Sequence, residues 1–408
     1  MKKRTIEGII RKSLRFFPVT VITGARQVGK STLVKALGDE LGFHYVSLDD
    51  LILLAEANND PRFFLTRFPT PLIIDEAQKA PMLFDEIARI VNSVRLEGGN
   101  ANGMFILTGS ESNDLLGRIR ESLAGRANPI DMLTLSHDEI LEKDDKPLSF
   151  NPTDYLSFQS DDSIDSVFAR IVRGGYPELA VHSDMKPRDF YAAYLRTYLD
   201  RDIGAFIGLE NQVKFINFLR YLASLTGQTL DKSKISNALG ISSRTVDSWL
   251  SVLATSNIVR FVEPYFDSSL TKRIVRTPKF YFQDSGLASY LAGLGDPKSL
   301  SGSYFAGAFF ETYVVNEIIK GFVNAGADAE VYFYRDNHQN EIDLVVLENG
   351  VLHPIEIKMT SSPNKAMVKS FSCLKGSMYT IGTGYLLCLT PYPVKLMDDV
   401  FAMPISAI

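Results

Sequence analysis

Cysteine and tryptophan are nearly absent: the 408 residues hold two of the first and one of the second. Cys373 and Cys388 both sit in apolar surroundings, which excludes a disulfide framework and a cysteine-based zinc motif. No uninterrupted apolar run reaches the ~18–20 residues of a membrane helix, so no membrane partner is expected. There is no low-complexity tract, and 45% hydrophobic with 22% charged residues is ordinary for a globular protein. The stretch Met1–Phe17 starts positive, as a signal peptide does. Arg11, Lys12 and Arg15 then interrupt what would be its apolar core, so it reads as an amphipathic helix that packs or touches a partner in a cytoplasmic protein. Length suggests roughly two to four domains.

Residues 18–24 form a short β-branched run that leads straight into Gly24-Ala-Arg-Gln-Val-Gly29-Lys30-Ser31, a match to G-x-x-x-x-G-K-[ST]. Leu33, Val34, Leu37 and Leu41 then follow at helical spacing. Strand, glycine turn and helix N-terminus are the context in which such a loop holds phosphate. Gly24, Ala25, Arg26, Gln27, Val28, Gly29, Lys30, Ser31 and Thr32 are therefore the expected ATP-binding residues. Lys30 is assigned to the β/γ oxygens and Ser31 to Mg²⁺.

An apolar strand from Pro71 ends in Asp75-Glu76, 45 residues after Lys30. The C-terminal end of a strand in a doubly wound sheet faces the ligand crevice. Asp75 is thus placed on the magnesium, and Glu76 on the attacking water. Met104–Ser110 repeats the pattern and offers Ser110 or Thr108 as a γ-phosphate sensor. Arg126 is a further candidate for that role, in cis or from a neighbouring subunit, the latter making a homo-oligomer. Helices between the strands imply a parallel sheet. Asp75-Glu76-Ala77-Gln78 also suits a helicase, but no second P-loop-type repeat is present to form the other half of such a motor.

Residues 141–165 are acidic, with Pro and Ser, and read as a surface linker. Tyr191, Tyr194, Leu195 and Tyr198 share one helical face, expected to be core. Between 212 and 293, Ser233–Leu239, a turn at Gly240–Ser243 and Arg244–Ile258 form a helix-turn-helix pattern. Strands at Val259–Val262 and Arg273–Phe282 would make a wing. The segment holds ten Lys and Arg against five Asp and Glu, net +5, while the chain as a whole is −5. Ser242, Ser243 and Arg244 would meet DNA at the start of the second helix, or the unit is a packing module only. Trp249 is expected in its core.

Near the C-terminus, Asn349-Gly350 between two β-rich runs predicts a two-residue hairpin. Its register sets Asp343 opposite Glu356, and Glu341 opposite Lys358, on one face. Opposed carboxylates repel, and a divalent cation held by Asp343 and Glu356 would resolve the conflict. Glu311, on an apparent helix, is a further ligand, and Lys358 would orient a nucleophilic water or the phosphate. The alternative is a solvated, salt-bridged hairpin edge.

Together these motifs resemble the bacterial and archaeal AAA-type ATPases that carry a C-terminal domain of unknown function. The resemblance rests on Gly24–Ser31, Leu72–Ala77, Leu107–Ser110, Ser122–Arg126, Arg173–Pro177, Tyr198–Asp202, Lys279–Asp284 and Phe310-Glu311. Pro is usual at Ala25 and Thr at Ser31 in that family. It implies an AAA-like α/β core over 1–140, a linker and helical segment over 141–211 and a winged helix over 212–293. Residues 300–408 would form a small α/β domain similar to the PD-(D/E)XK restriction nucleases. Glu311, Asp343, Glu356 and Lys358 match the nuclease signature. Two functions follow as expectations. One is an ATP-hydrolysing enzyme coupled to DNA, with metal-dependent cleavage. The other is a nucleotide-switched DNA-binding regulator whose nuclease-like domain is silent.

Overall fold

The computed structural model describes residues 2–109, 117, 121–143, 146–198, 211–267, 277–327 and 329–408. Its first unit follows the alternation read from the sequence. Helix α1 (Glu7–Phe16) precedes β1 (Val19–Thr23) and α2 (Lys30–Leu41). Then come β2 (His44–Ser47), α3 (Leu51–Asn59), α4 (Pro61–Arg67), β3 (Leu72–Asp75), α5 (Met82–Leu96), β4 (Phe105–Thr108) and β5 (Ala127–Asp131). The strands form an all-parallel sheet in the order β2-β3-β4-β1-β5.

A parallel sheet needs both faces covered, and alternate residues divide between two cores. Val19, Val21, Leu72, Ile74, Phe105 and Leu107 join one core, which includes Phe84 and Ile87 of α5. Ile22, Ile73 and Ile106 face the other way. That second core runs on without a break into the rest of the chain. Ile6 and Ile10 also belong to it, so the amphipathic N-terminal segment packs on the body of its own chain.

A helical stretch follows, α6 (Ile164–Arg173), α7 (Pro177–Val181) and α8 (Pro187–Tyr198). Next come α9 (Gln212–Ala223), β6 (Gln228–Thr229), α10 (Lys232–Leu239), α11 (Ser243–Thr255), β7 (Val259–Val262) and β8 (Lys279–Phe282). The three strands pair antiparallel in the order β6-β8-β7. Asp231 caps α10, Gly240 closes it in the left-handed conformation, and Ser242 caps α11 through the Thr245 N–H. Trp249 is buried edge-on against Phe215 and Phe218. The expected strand from Arg273 is described only from Lys279; Lys272 and Arg273 lie outside the described residues, as does part of Tyr198–Asp202.

After α12 (Ser285–Leu291), the long helix α13 (Ala306–Ala325) packs against a second, mixed sheet. It comprises β9 (Ala329–Arg335), β10 (Glu341–Glu348), β11 (Val351–Ile357), β12 (Thr380–Ile381), β13 (Gly384–Cys388), β14 (Val394–Met397) and β15 (Val400–Pro404). The order is β14-β15-β13-β11-β10-β9, with β12 beside β11. The β10–β11 ladder runs from Glu348↔Val351 to Leu344↔Ile355, as the Asn349-Gly350 loop dictates.

The acidic stretch after 141 is no free linker. Phe150 stacks on His353 at 3.8 Å between ring centroids, the Tyr385 hydroxyl donates to the Ser149 carbonyl, and the Ser160 N–H donates to the Pro391 carbonyl. Its apolar residues, Leu148 and Tyr155, are buried and strap it across the second sheet. The acidic composition hid them. Among the described residues no helix is long and apolar enough to cross a membrane.

A candidate nucleotide site and a carboxylate cluster

The loop after β1 turns on two glycines. Gly24 has φ +144°, and a Cβ there would lie 2.2 Å from the Met132 carbonyl oxygen. Gly29, at φ +96°, is the N-cap of α2, whose first residues Lys30, Ser31 and Thr32 line the cleft. Ala25 and Val28 bury their side chains in the core, so only their backbone is available to a phosphate. The buried Lys30 ammonium donates to the carbonyls of Gly24 and Ala25, 2.8 Å each. The unforeseen Arg4 braces the loop from behind: its guanidinium donates to the carbonyls of Val28 (2.9 Å) and Leu133 (2.8 Å) and pairs with buried Glu139.

Asp75 ends β3, and its Oδ1 accepts from Ser31 Oγ at 3.0 Å and also from the Thr108 hydroxyl. Its Oδ2 accepts from the Tyr45 hydroxyl at 2.9 Å, and burial beside Asp75 drives that phenol well above its ordinary pKa. Thr108 also accepts from the Glu76 N–H at 3.2 Å. Glu76 takes left-handed backbone angles (φ 57°), and its Oε2 accepts from Gln78 Nε2 at 2.6 Å. Ser31 and Asp75 are thus a hydroxyl and a carboxylate that could share one octahedral Mg²⁺, with Glu76 next to them.

Arg26, Gln27, Gly29, Lys30, Ser31, Thr32 and Glu76 line one side of a cleft of about 670 Å³. The opposite wall is Pro177 and Glu178 of α7 with Phe190, Ala193, Tyr194 and Thr197 of α8. The helical periodicity of α8 correctly marks a packed face, but cannot say that part of that face borders a cleft. Behind the wall, the buried Asp284 carboxylate accepts from Tyr191 Oη (2.7 Å), Gly175 N–H (2.8 Å) and Leu287 N–H (2.9 Å). It thereby joins the cleft wall to the residues just after β8.

Two expected sensors fare differently. Ser110 lies outside the described residues. Arg126 precedes β5, and its carbonyl accepts from the Val19 N–H at the start of β1. The P-loop follows the other end of β1, about 16 Å away at ~3.3 Å per strand residue. Arg126 donates to Asn92 Oδ1 (2.8 Å) and the Ala124 carbonyl (3.1 Å). A cis role at its own nucleotide is therefore excluded.

In the C-terminal sheet, Asp343 and Glu356 meet on one face, bridged by Lys358: Nζ stands 2.9 Å from Asp343 Oδ2 and 2.7 Å from Glu356 Oε2. Ser370 donates to Glu356 Oε1 at 2.5 Å. The β10–β11 ladder ends at Leu344↔Ile355, short of the expected pairing of Glu341 with Lys358, and on its other side Glu341 pairs with Arg335 of β9. A register irregularity between Ile342 and Val345 interrupts the β9–β10 ladder. The main correction concerns the cation. Glu311 Oε1 accepts from Lys279 Nζ (2.9 Å) and Tyr281 Oη (2.7 Å), and Lys279 also reaches Glu341 Oε1 at 2.6 Å. Among the described residues no group of three or more His, Cys, Asp or Glu side chains is arranged to hold a metal ion. The set Glu311, Asp343 and Glu356 does not fit one, because lysines stand between the carboxylates.

Burial raises the Glu356 carboxyl to about 8, with the Asp343 charge adding to it, and burial also raises Glu311. Asp343 feels the same burial, but Lys279, Lys358 and the Ile357 N–H outweigh it and hold its pKa below the usual carboxylate range.

Residues 17–141 match the family model of an AAA domain. Residues 164–298 and 306–408 match two domains of unknown function, DUF8612 and DUF4143. An uncharacterized protein of Mycobacterium tuberculosis is 27% identical over 415 residues, covering 100% of this chain and 85% of the relative. One of Haemophilus influenzae is 23% identical over 296 residues, covering 67% and 69%. Among solved structures, a Walker-type ATPase of Pyrococcus abyssi has a TM-score of 0.44 at 17% identity, covering 70% of this chain and 94% of that one. Thermotoga maritima RuvB, a Holliday junction branch migration motor, gives 0.30 at 16%, covering 62% and 88%. With the P-loop, Asp75 and Glu76 all inside the matched AAA region and the last hundred residues matched separately, the chain contains a P-loop domain of the AAA type and a C-terminal DUF4143 domain.

Proposed function

We propose that this ATPase uses ATP with Mg²⁺ to switch a DNA-contacting winged helix, and that its C-terminal domain is catalytically silent. The observation that carries the reading is the Asp284 junction. The helices facing the P-loop are hydrogen-bonded through one carboxylate to the segment that follows β8. Lys30 would turn from the loop carbonyls to the β/γ oxygens, Ser31 and Asp75 would hold Mg²⁺, and Glu76 would polarise the attacking water. Three helices with three antiparallel strands support a winged helix over 212–293, and exposed Ser242, Ser243 and Arg244 at the start of α11 are free of the core. An Arg126 that reads γ-phosphate would do so only from a neighbouring subunit, which favours a homo-oligomer. Lysines lodged among the C-terminal carboxylates favour the silent domain over metal-dependent cleavage.

The test incubates the full chain with labelled duplex DNA in Mg²⁺ or Mn²⁺, with ATP, ADP or neither. Duplex affinity that changes with nucleotide, without cleavage products, is expected. Affinity that ignores the nucleotide removes the switch, and no binding returns 212–293 to a packing role. Cleavage products would revive the nuclease reading.

A further inference from the structure

Glu311, Glu341 and Asp343 converge on one cation, and that cation is covalently part of the chain. Lys279 opens β8, a strand whose four residues are all buried. Its ammonium leaves the helical unit and enters the C-terminal domain. Nζ lies 2.9 Å from Glu311 Oε1, 2.6 Å from Glu341 Oε1 and 3.8 Å from Asp343 Oδ1. The Phe333 ring, centred 5.6 Å away, flanks it. Only 2% of the Lys279 side chain is exposed. A charge so deeply buried is tolerated when carboxylates surround it.

The dimensions are those of an ammonium site. Mg²⁺ takes its oxygens at about 2.0–2.1 Å in a near-octahedron, whereas these three stand at 2.6 to 3.8 Å. Asp343 Oδ2 is already committed to the Ile357 N–H and Lys358.

We propose that the carboxylate cluster is a binding site for a primary ammonium group, filled by Lys279, and that it latches the unit containing β8 onto the C-terminal domain. Glu311 and Asp343, two of the residues expected to hold a divalent ion, are used for joining two parts of the chain. This holds whether or not the protein contacts DNA.

Thermal unfolding of the full chain tests it. Lys279→Ala leaves carboxylates buried without this partner and should lower Tm by roughly 5 °C. The substitution removes three carbons and the amine, so n-propylamine should recover part of the loss. Uncharged n-propanol, Mg²⁺ and Mn²⁺ should not. Should Lys279→Ala fail to fold, Lys279→Met combined with Glu311→Gln replaces it, and that double variant should be more stable than Lys279→Met alone. An unchanged Tm in Lys279→Ala overturns the latch, and recovery by Mg²⁺ or Mn²⁺ replaces it with a metal site. Absence of both amine recovery and the Glu311→Gln gain also overturns it.

Discussion

Ser31 Oγ donates to Asp75 Oδ1 across 3.0 Å although 44 residues separate them. The pair is assembled before any ion arrives, so its loss should be felt only when Mg²⁺ is needed. Asp75→Asn should leave metal-free ATP binding nearly intact while abolishing its tightening by Mg²⁺. Titration calorimetry with and without EDTA reads the difference. Equal affinities for ATP in wild type and variant at saturating Mg²⁺ would remove Asp75 from the metal.

Lys30 and Glu76 should separate binding from turnover. Lys30→Ala removes the charge that faces the β/γ oxygens and should weaken ATP binding. Glu76→Gln should bind ATP as wild type does, with hydrolysis down ~10²-fold or more, as when a positioned base is lost. Equal loss of binding in both variants would sink the role given to Glu76.

Arg126 stands at the wrong end of β1 for its own nucleotide. Arg126→Ala should lose turnover by at least ~10³-fold if it is an arginine finger from the next subunit. Mixing that variant with Lys30→Ala should restore part of it, since each supplies what the other lacks. Wild-type turnover by Arg126→Ala alone would exclude the residue from the mechanism.

In the helical unit, stability and DNA contact should come apart. Trp249→Ala should cost about 3–5 kcal/mol by emptying the space beside Phe215 and Phe218. Arg244→Glu should leave the melting curve alone, weaken duplex binding and reduce its salt dependence. A melting change in Arg244→Glu as large as that of Trp249→Ala would place Arg244 in the core instead.

His137 gives a pH signature. Burial, with the Arg170 charge adding to it, lowers its pKa to about 4 from an ordinary 6.5, and Arg170 Nη1 lies 2.7 Å from its Nε2. The folded protein therefore holds the ring neutral while the unfolded chain takes up a proton from about pH 6.5 downward. Stability is fully present above pH 6.5 and is lost as pH falls toward 4, by on the order of 2–3 kcal/mol. His137→Gln should flatten that part of the Tm–pH curve, and an unaltered slope would contradict the assignment.

What could be read from the residues was local or fixed by a short turn. The P-loop strand, Asp75-Glu76 and the Asn349-Gly350 register all rest on spacings of a few residues, where backbone geometry leaves little choice. Nothing at that range announces Lys279 as the partner of Glu341, 62 residues on, or Tyr45 as the partner of Asp75. The one available clue was a lysine opening an otherwise apolar run, Lys279-Phe-Tyr-Phe. The same blindness made the opposed carboxylates look like a metal site. Their repulsion was read correctly, but Lys358 of the same hairpin relieves it, and a second cation, Lys279, reaches Asp343 from a distant strand.

Strand β8 is held at both extremities. Lys279 sits in the C-terminal carboxylates, and Asp284, two residues past Phe282, is fastened to Gly175 and Tyr191 behind the P-loop cleft. Mechanically that is a strut pinned at each end, with a span of roughly 16 Å if the segment stays extended. A displacement of the cleft wall therefore cannot be absorbed locally. It has to drag the C-terminal sheet along as one piece, or unpin one end of the strut.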